Sequence, residues 1–205
     1  MKLRSLLLVF PLLTLSTLRC QATVVTFDDL PLNSPAGIFI PAGYQGLVWS
    51  NFGCINGILN PTESPLITNG FYYGVVSMSN VAVNAGGQPA EIDSTTNFNF
   101  QSAYFTGGWH SNLNIEVQGF SGTNLVYDQT VVASATNPTL FTFNYLDIDR
   151  LYFNSYGGDV AFGYDGGAQF AMDNFEFEFV PEPSSLLLTA LGGVTLVAFL
   201  KRKRT

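Results

Sequence analysis

Leu113-Asn114-Ile115-Glu116-Val117-Gln118 sets an apolar residue against a polar one three times running. Successive side chains of a strand point to opposite faces, so a period of two buries Leu113, Ile115 and Val117 and leaves Asn114, Glu116 and Gln118 on the other face. A helix would need apolar residues three and four apart, and residues 23–180 offer no such stripe with caps. Outward from this stretch, short apolar or alternating runs recur at 24–30, 46–52, 71–77, 81–85, 98–105, 125–132, 140–145, 151–155 and 169–179. Turn signals such as Ser121-Gly122, Asn137-Pro138 and Asp165-Gly166-Gly167 separate them. About ten strands over this length predict an all-β fold, an antiparallel jelly-roll sandwich spanning 23–180.

Of 205 residues, 47% are apolar and 11% charged, and the few charges are unevenly placed. Lys2, Arg4, Arg19, Lys201, Arg202, Lys203 and Arg204 lie at the two ends, so residues 23–180 keep Arg150 alone against fourteen of the 15 carboxylates. A domain so acidic repels phosphate backbones and excludes nucleic acid as a partner. It remains compatible with divalent cations or neutral sugars.

Residues 1–22 read as a signal peptide: Lys2 and Arg4 form the charged start, 5–18 the apolar run, and Cys20-Gln21-Ala22 the small-residue end. Cleavage there leaves Cys54 alone, with no intramolecular disulfide, as a buried small hydrophobe. The other end, 181–205, has three parts. Pro181, Glu182 and Pro183 form a rigid acidic turn, about 184–200 is apolar, and Lys201 to Arg204 form a basic stop. Leu186 to Leu200 carries no charge, and as a helix it reaches roughly 22 Å against the roughly 30 Å of a bilayer core. Snorkelling cations and the residues back to Pro183 would make up the difference, predicting a single C-terminal transmembrane helix with its basic end cytoplasmic.

This tail resembles the PEP-CTERM sorting signal, also known as the ice-binding-protein C-terminal domain, of exported proteins in Gram-negative bacteria. The resemblance rests on Val180-Pro181-Glu182-Pro183, the helix through Gly192-Gly193 and the basic stop. It implies an exosortase partner that cleaves near Pro181 to Pro183, a transient membrane anchor, and then a cell-surface or extracellular protein associated with exopolysaccharide.

The opening Phe27-Asp28-Asp29 and the closing Met172-Asp173-Asn174-Phe175 carry the domain's most specific pattern. In a regular strand Asp173 shares parity with Phe175, Phe177 and Phe179, so its carboxylate faces the interior and needs a partner. Structural Ca²⁺ held by Asp173 with Asp28 or Asp29 would supply one. The alternative is a turn at Asp28-Asp29 and a bulge that places Asp173 at a solvated edge. The layout resembles the galactose-binding-like jelly roll of carbohydrate-binding modules, whose opening strand carries an acid after an aromatic and whose closing strand reads hydrophobic-Asp-(Asp/Asn)-hydrophobic.

Catalysis has little support. His110 is the single histidine, it stands beside Ser111 on what would be one strand, and no Gly-x-Ser-x-Gly occurs. Asp147 with Asp149, and Glu176 with Glu178, are spaced as any acidic strand spaces them. The chain reads as non-enzymatic. A sugar site would need exposed rings beside hydrogen-bonding groups, for which Trp49, Tyr72, Tyr73, Trp109 and His110 are candidates, with Trp49, Trp109 and His110 foremost. Two readings remain: a surface or matrix protein, or a calcium-stabilised carbohydrate-binding module or lectin with a defined glycan.

Overall fold

The computed structural model describes residues 21–32, 37–59 and 68–181. Its strands in chain order are β1 (Thr23–Val25), β2 (Ile38–Phe39), β3 (Val48–Ser50), β4 (Phe52–Asn56), β5 (Asn80–Asn84), β6 (Ala90–Gly107), β7 (His110–Ser111), β8 (Leu113–Ser121), β9 (Asn124–Ala133), β10 (Thr139–Tyr156), β11 (Asp159–Val160) and β12 (Phe170–Phe179). One helical turn, α1 (Gly70–Tyr73), lies between β4 and β5. Every pairing is antiparallel.

The two 18-residue strands, β6 and β10, turn one hydrogen-bonded sheet into two layers. The first part of β6 lies between β3 and the far half of β10, which continues to β8 and β9. Its second part lies between β12 and the near half of β10, and β12 continues to β5, β4 and β2. Between these halves the register slips three times, and Asn144 and Asp147 take φ of 52° and 58°. Asn and Asp tolerate the left-handed region better than most residues, so these bulges bend the strand pair at little cost.

Aromatic contacts show the layers closing on each other. Trp49 of β3 meets Phe52 of β4 at 5.5 Å and Phe175 of β12 at 5.6 Å, and Phe153 of β10 meets Phe52 at 5.4 Å. Phe100 lies nearly parallel to Phe143 and to Phe175, with both centroids 4.8 Å away. The alternation at 113–118 is realised in β8, where Leu113, Ile115 and Val117 are fully buried.

Residues 71–77, expected as a strand, instead form α1 and the chain beyond it. Asn69 caps the turn by accepting the Tyr72 N–H at 3.1 Å. This segment crosses the outer face of β4, β5 and β12, where Phe71 and Val75 pack on Ile55, Val81, Val83 and Ala171.

The architecture is all-β, and it lends no support to the expected transmembrane helix, whose residues 184–200 lie outside the described ones. Among the described residues no helix is long and apolar enough to cross a membrane. The four-residue α1 rises about 6 Å against a roughly 30 Å hydrocarbon core. Glu182, Pro183 and Lys201 to Arg204 lie outside the described residues, which end at the exposed Pro181. The exosortase partner, the membrane contact and the anchored stage before surface release all depended on that helix and are left without support from the described fold.

Candidate functional site

The last strand changes partners halfway along one edge. Ala171 and Met172 pair with β5, whereas Phe175 and Phe177 pair with β1. Between them Asn174 takes φ 49° and the register against β6 slips. A bulge reverses the alternation of side chains. Phe170 and Met172 therefore join Phe175 and Phe177 in the main core, while Ala171 belongs to the outer cluster. Asp173 follows the parity of Ala171, not that of the phenylalanines, because the expected parity assumed an unbroken strand.

Asp173 is nevertheless fully buried, since the chain between α1 and β5 crosses over it. Its Oδ2 accepts the N–H groups of Val76 and Ser77, each at 2.8 Å. Its Oδ1 accepts the Ser77 hydroxyl at 2.9 Å and the Asn174 N–H at 2.7 Å. Asp28 holds the next residues, its Oδ1 accepting the N–H groups of Ser79 and Asn80, each at 3.0 Å. The exposed Asp29 accepts the Tyr44 hydroxyl at 2.5 Å. Burial pushes the Asp173 carboxyl above the usual range, and its four donors pull the other way. Nearby, the buried Cys54 thiol is pushed up to about 12 by burial first and then by Asp28.

This arrangement does not fit a calcium cage. A hard cation needs oxygen lone pairs, and those of Asp173 already face four hydrogens. Asp28 retains one buried oxygen, Oδ2, without a partner. Among the described residues no group of three or more histidine, cysteine or carboxylate side chains is placed to hold a metal. The opening and closing acids instead hold the crossover by its peptide N–H groups.

Beyond the crossover lies an open cleft of about 390 Å³, between β2, α1 and the turn carrying Trp109. Gly53, Val83, Ala85 and Gly86 line it, and small residues keep it open. A methyl group built on Gly53 would sit 3.4 Å from Val83 and 3.5 Å from the Ile38 carbonyl, so the space there is real. Ile38, Phe39, Phe71 and Trp109 add apolar surface, with Phe39 71% exposed. Trp109 stands edge-on to Phe71 at 5.4 Å, and its indole N–H donates to Gln169 Oε1 at 3.0 Å. An indole N–H can only donate, so this bond fixes the amide and leaves the Gln169 NH₂ as the donor beside the cleft. No residue lining the cleft is charged.

The three foremost ring candidates thus have different fates, and neither Tyr72 nor Tyr73 lines the cleft. Trp109 lines the cleft, whereas Trp49 is a core residue, 6% exposed, whose Nε1 donates to the Tyr44 carbonyl at 3.0 Å. His110 does not line the cleft; its Nδ1 lies 2.8 Å from the Gly157 carbonyl and its Nε2 2.8 Å from Asp165 Oδ1. Ser111 Oγ accepts the Ala135 N–H at 3.2 Å, so no Ser-His pair forms. The spaced carboxylates are bound separately: Glu176 by Ser102, Glu178 by Asn99, Asp147 by Asn97 and Asp149 by the Gly122 N–H. Neither carboxylate pair acts on a shared partner.

Sequence reasoning missed Phe39, Gly53 and Gln169. A glycine inside a strand pattern marks an open or closely approached position, and Gly53 carried that signal.

No family model and no curated protein matches the chain. Among solved structures it is similar to a DUF4465 family protein from Bacteroides ovatus ATCC 8483, at 11% identity and TM-score 0.44 over 77% of this chain and 88% of that one. It is similar to TmCBM61 in complex with beta-1,4-galactotriose, at 11% identity and TM-score 0.35 over 74% and 97%. It is also similar to the K1 cleaved adhesin domain of Lys-gingipain from Porphyromonas gingivalis W83, at 10% identity and TM-score 0.41 over 79% and 99%. All three likenesses are distant, and the functional reading rests on this chain's own residues.

Proposed function

We propose that this chain is a non-catalytic module that binds a neutral glycan in the cleft beside Trp109. The observation that carries the reading is an uncharged cleft that sets the Phe39 and Trp109 rings beside an oriented amide at Gln169. A pyranose offers an apolar face to a ring and hydroxyls to an amide, and the cleft's size suits a few such units. The acidic domain around it disfavours uronic-acid polymers by like-charge repulsion.

Affinity electrophoresis of the purified chain through gels containing neutral polysaccharides, with polygalacturonate as the charged comparison, tests this reading. Retardation by a neutral polymer is expected. Gly53→Ala adds a methyl to the floor at ordinary contact distance from Val83 and the Ile38 carbonyl, and Gln169→Glu keeps the acceptor for Trp109 while removing the NH₂. Each should weaken the retardation while the melting temperature stays near the parent's. No retardation by any neutral polymer, or retardation indifferent to both substitutions, would overturn the reading.

A further inference from the structure

Segment 157–167 runs from the end of β10 back over Trp109 before β12 begins. It is tied down at several points. Asp159 and Val160 pair with Ser111 and His110, the Ala161 N–H donates to the Trp109 carbonyl at 2.9 Å, and Asn112 Nδ2 donates to Asp159 at 2.9 Å. The Tyr164 ring meets the indole edge-on at 5.1 Å, and Gly166 lies so close against the indole that a side chain there would collide with it. The wall of the cleft formed by Trp109 is therefore packed from behind by this segment.

His110 joins the two ends of that packing. Its Nδ1 faces the Gly157 carbonyl and its Nε2 faces the Asp165 carboxylate, each at 2.8 Å. Both partners are acceptors only. A neutral imidazole carries one N–H and can satisfy one of them, leaving its other lone pair against an oxygen. Only the imidazolium donates to both. The carboxylates near His110 are Asp165 and Asp159, both on segment 157–167, and both favour the charged ring.

We propose that protonated His110 is a pH-dependent clasp that holds segment 157–167 closed behind Trp109 and so keeps the cleft wall in place for its ligand. As a means of regulation it rests on the glycan-binding reading. Physical chemistry gives the direction. The Gly157 carbonyl, and then Asp165, raise His110 above its ordinary value of 6.5, against an opposing effect of burial. A histidine whose folded value is raised stabilises the fold fully below the unfolded value, and that stabilisation is lost as pH rises through the folded one. The clasp is therefore shut in mildly acidic solution and opens on the alkaline side.

Because His110 is the chain's single histidine, its ring nitrogens can be followed by NMR without ambiguity. Trp109 emission can be followed in a Trp49→Phe background over the same pH range. Both ring nitrogens should be protonated at pH 6, and the ring and the indole should change with one shared midpoint above 6.5. Affinity for a neutral oligosaccharide should fall by about 3- to 10-fold across that midpoint, the net effect of one ordinary hydrogen bond. The ligand does not titrate, so the pH dependence belongs to the protein. Asp165→Asn, at an exposed position that leaves the core untouched, should move the midpoint to lower pH, and His110→Gln should remove it. A single neutral tautomer at pH 6, or an indole signal that ignores the histidine, overturns the clasp. If an oligosaccharide binds equally at all pH values the clasp fails and the glycan reading stands. If none binds while ring and indole still titrate together, the clasp stands and the glycan reading fails.

Discussion

Asp173→Asn separates a peptide cradle from a metal site. The carboxylate accepts four hydrogen bonds, two on each oxygen, at 2.7 to 2.9 Å. An asparagine in the same place has one oxygen and one NH₂. Its best arrangement keeps the oxygen on Val76 and Ser77 and turns the NH₂ toward the Ser77 hydroxyl, which can rotate to accept. The Asn174 N–H then has no partner, and the remaining bonds lose their charge assistance. One orphaned buried N–H costs about 1–3 kcal/mol, and each weakened bond about 1 kcal/mol, offset in part by removing a desolvated charge. The net is a loss of about 2–4 kcal/mol, read as a fall in melting temperature of about 4–16 °C for a chain of this size. Urea unfolding at pH 7, in excess calcium and in excess chelator, is the assay. The cradle predicts the same loss in both. A parent protein stabilised by calcium, with that gain absent from Asp173→Asn, would refute the cradle, as would a variant within about 0.5 kcal/mol of the parent.

Phe100 is fully buried between two nearly parallel rings, so Phe100→Ala should cost about 3–5 kcal/mol in urea unfolding. The Tyr145 hydroxyl donates to the Val117 carbonyl at 2.9 Å, and burial pushes its ionisation upward. Tyr145→Phe should therefore cost about 1 kcal/mol by the same measurement, and alkaline difference spectra should show one fewer late-titrating tyrosine. Folded protein treated with iodoacetamide at pH 8 should leave Cys54 unmodified on peptide mapping, because its thiol is buried and pushed up to about 12, whereas unfolded protein should react there.

What the sequence revealed came from rules that hold locally. The alternation at 113–118 needs only a strand with one buried face, and β8 obeys it residue for residue. The special standing of Asp28 and Asp173 was also legible, because buried acids need partners wherever they sit. The partner was not legible. Counting parity through Asn174 assumes a regular strand, and the residue that breaks it there is an asparagine, a type that adopts positive φ without announcing that it does. The donors come from Val76 and Ser77, about a hundred residues away in a segment that reads as a strand but crosses the sheet instead. Trp49 and Trp109 look equally eligible in sequence. Their burial depends on which layer faces which, and that is set by the bulges at Asn144 and Asp147. The cleft depends on small residues such as Gly53 and Gly86, whose contribution is the absence of a side chain.

The glycan reading is tested most directly by ¹H–¹⁵N correlation spectra of the full chain during titration with a neutral oligosaccharide. The Trp109 indole and the Gln169 side-chain amide both border the cleft and share one hydrogen bond, while the Trp49 indole is enclosed in the core and serves as the internal control. Trp109 and Gln169 resonances should move together and saturate while Trp49 stays fixed. Saturable binding that leaves both unmoved, or no shift with any neutral oligosaccharide, would contradict it.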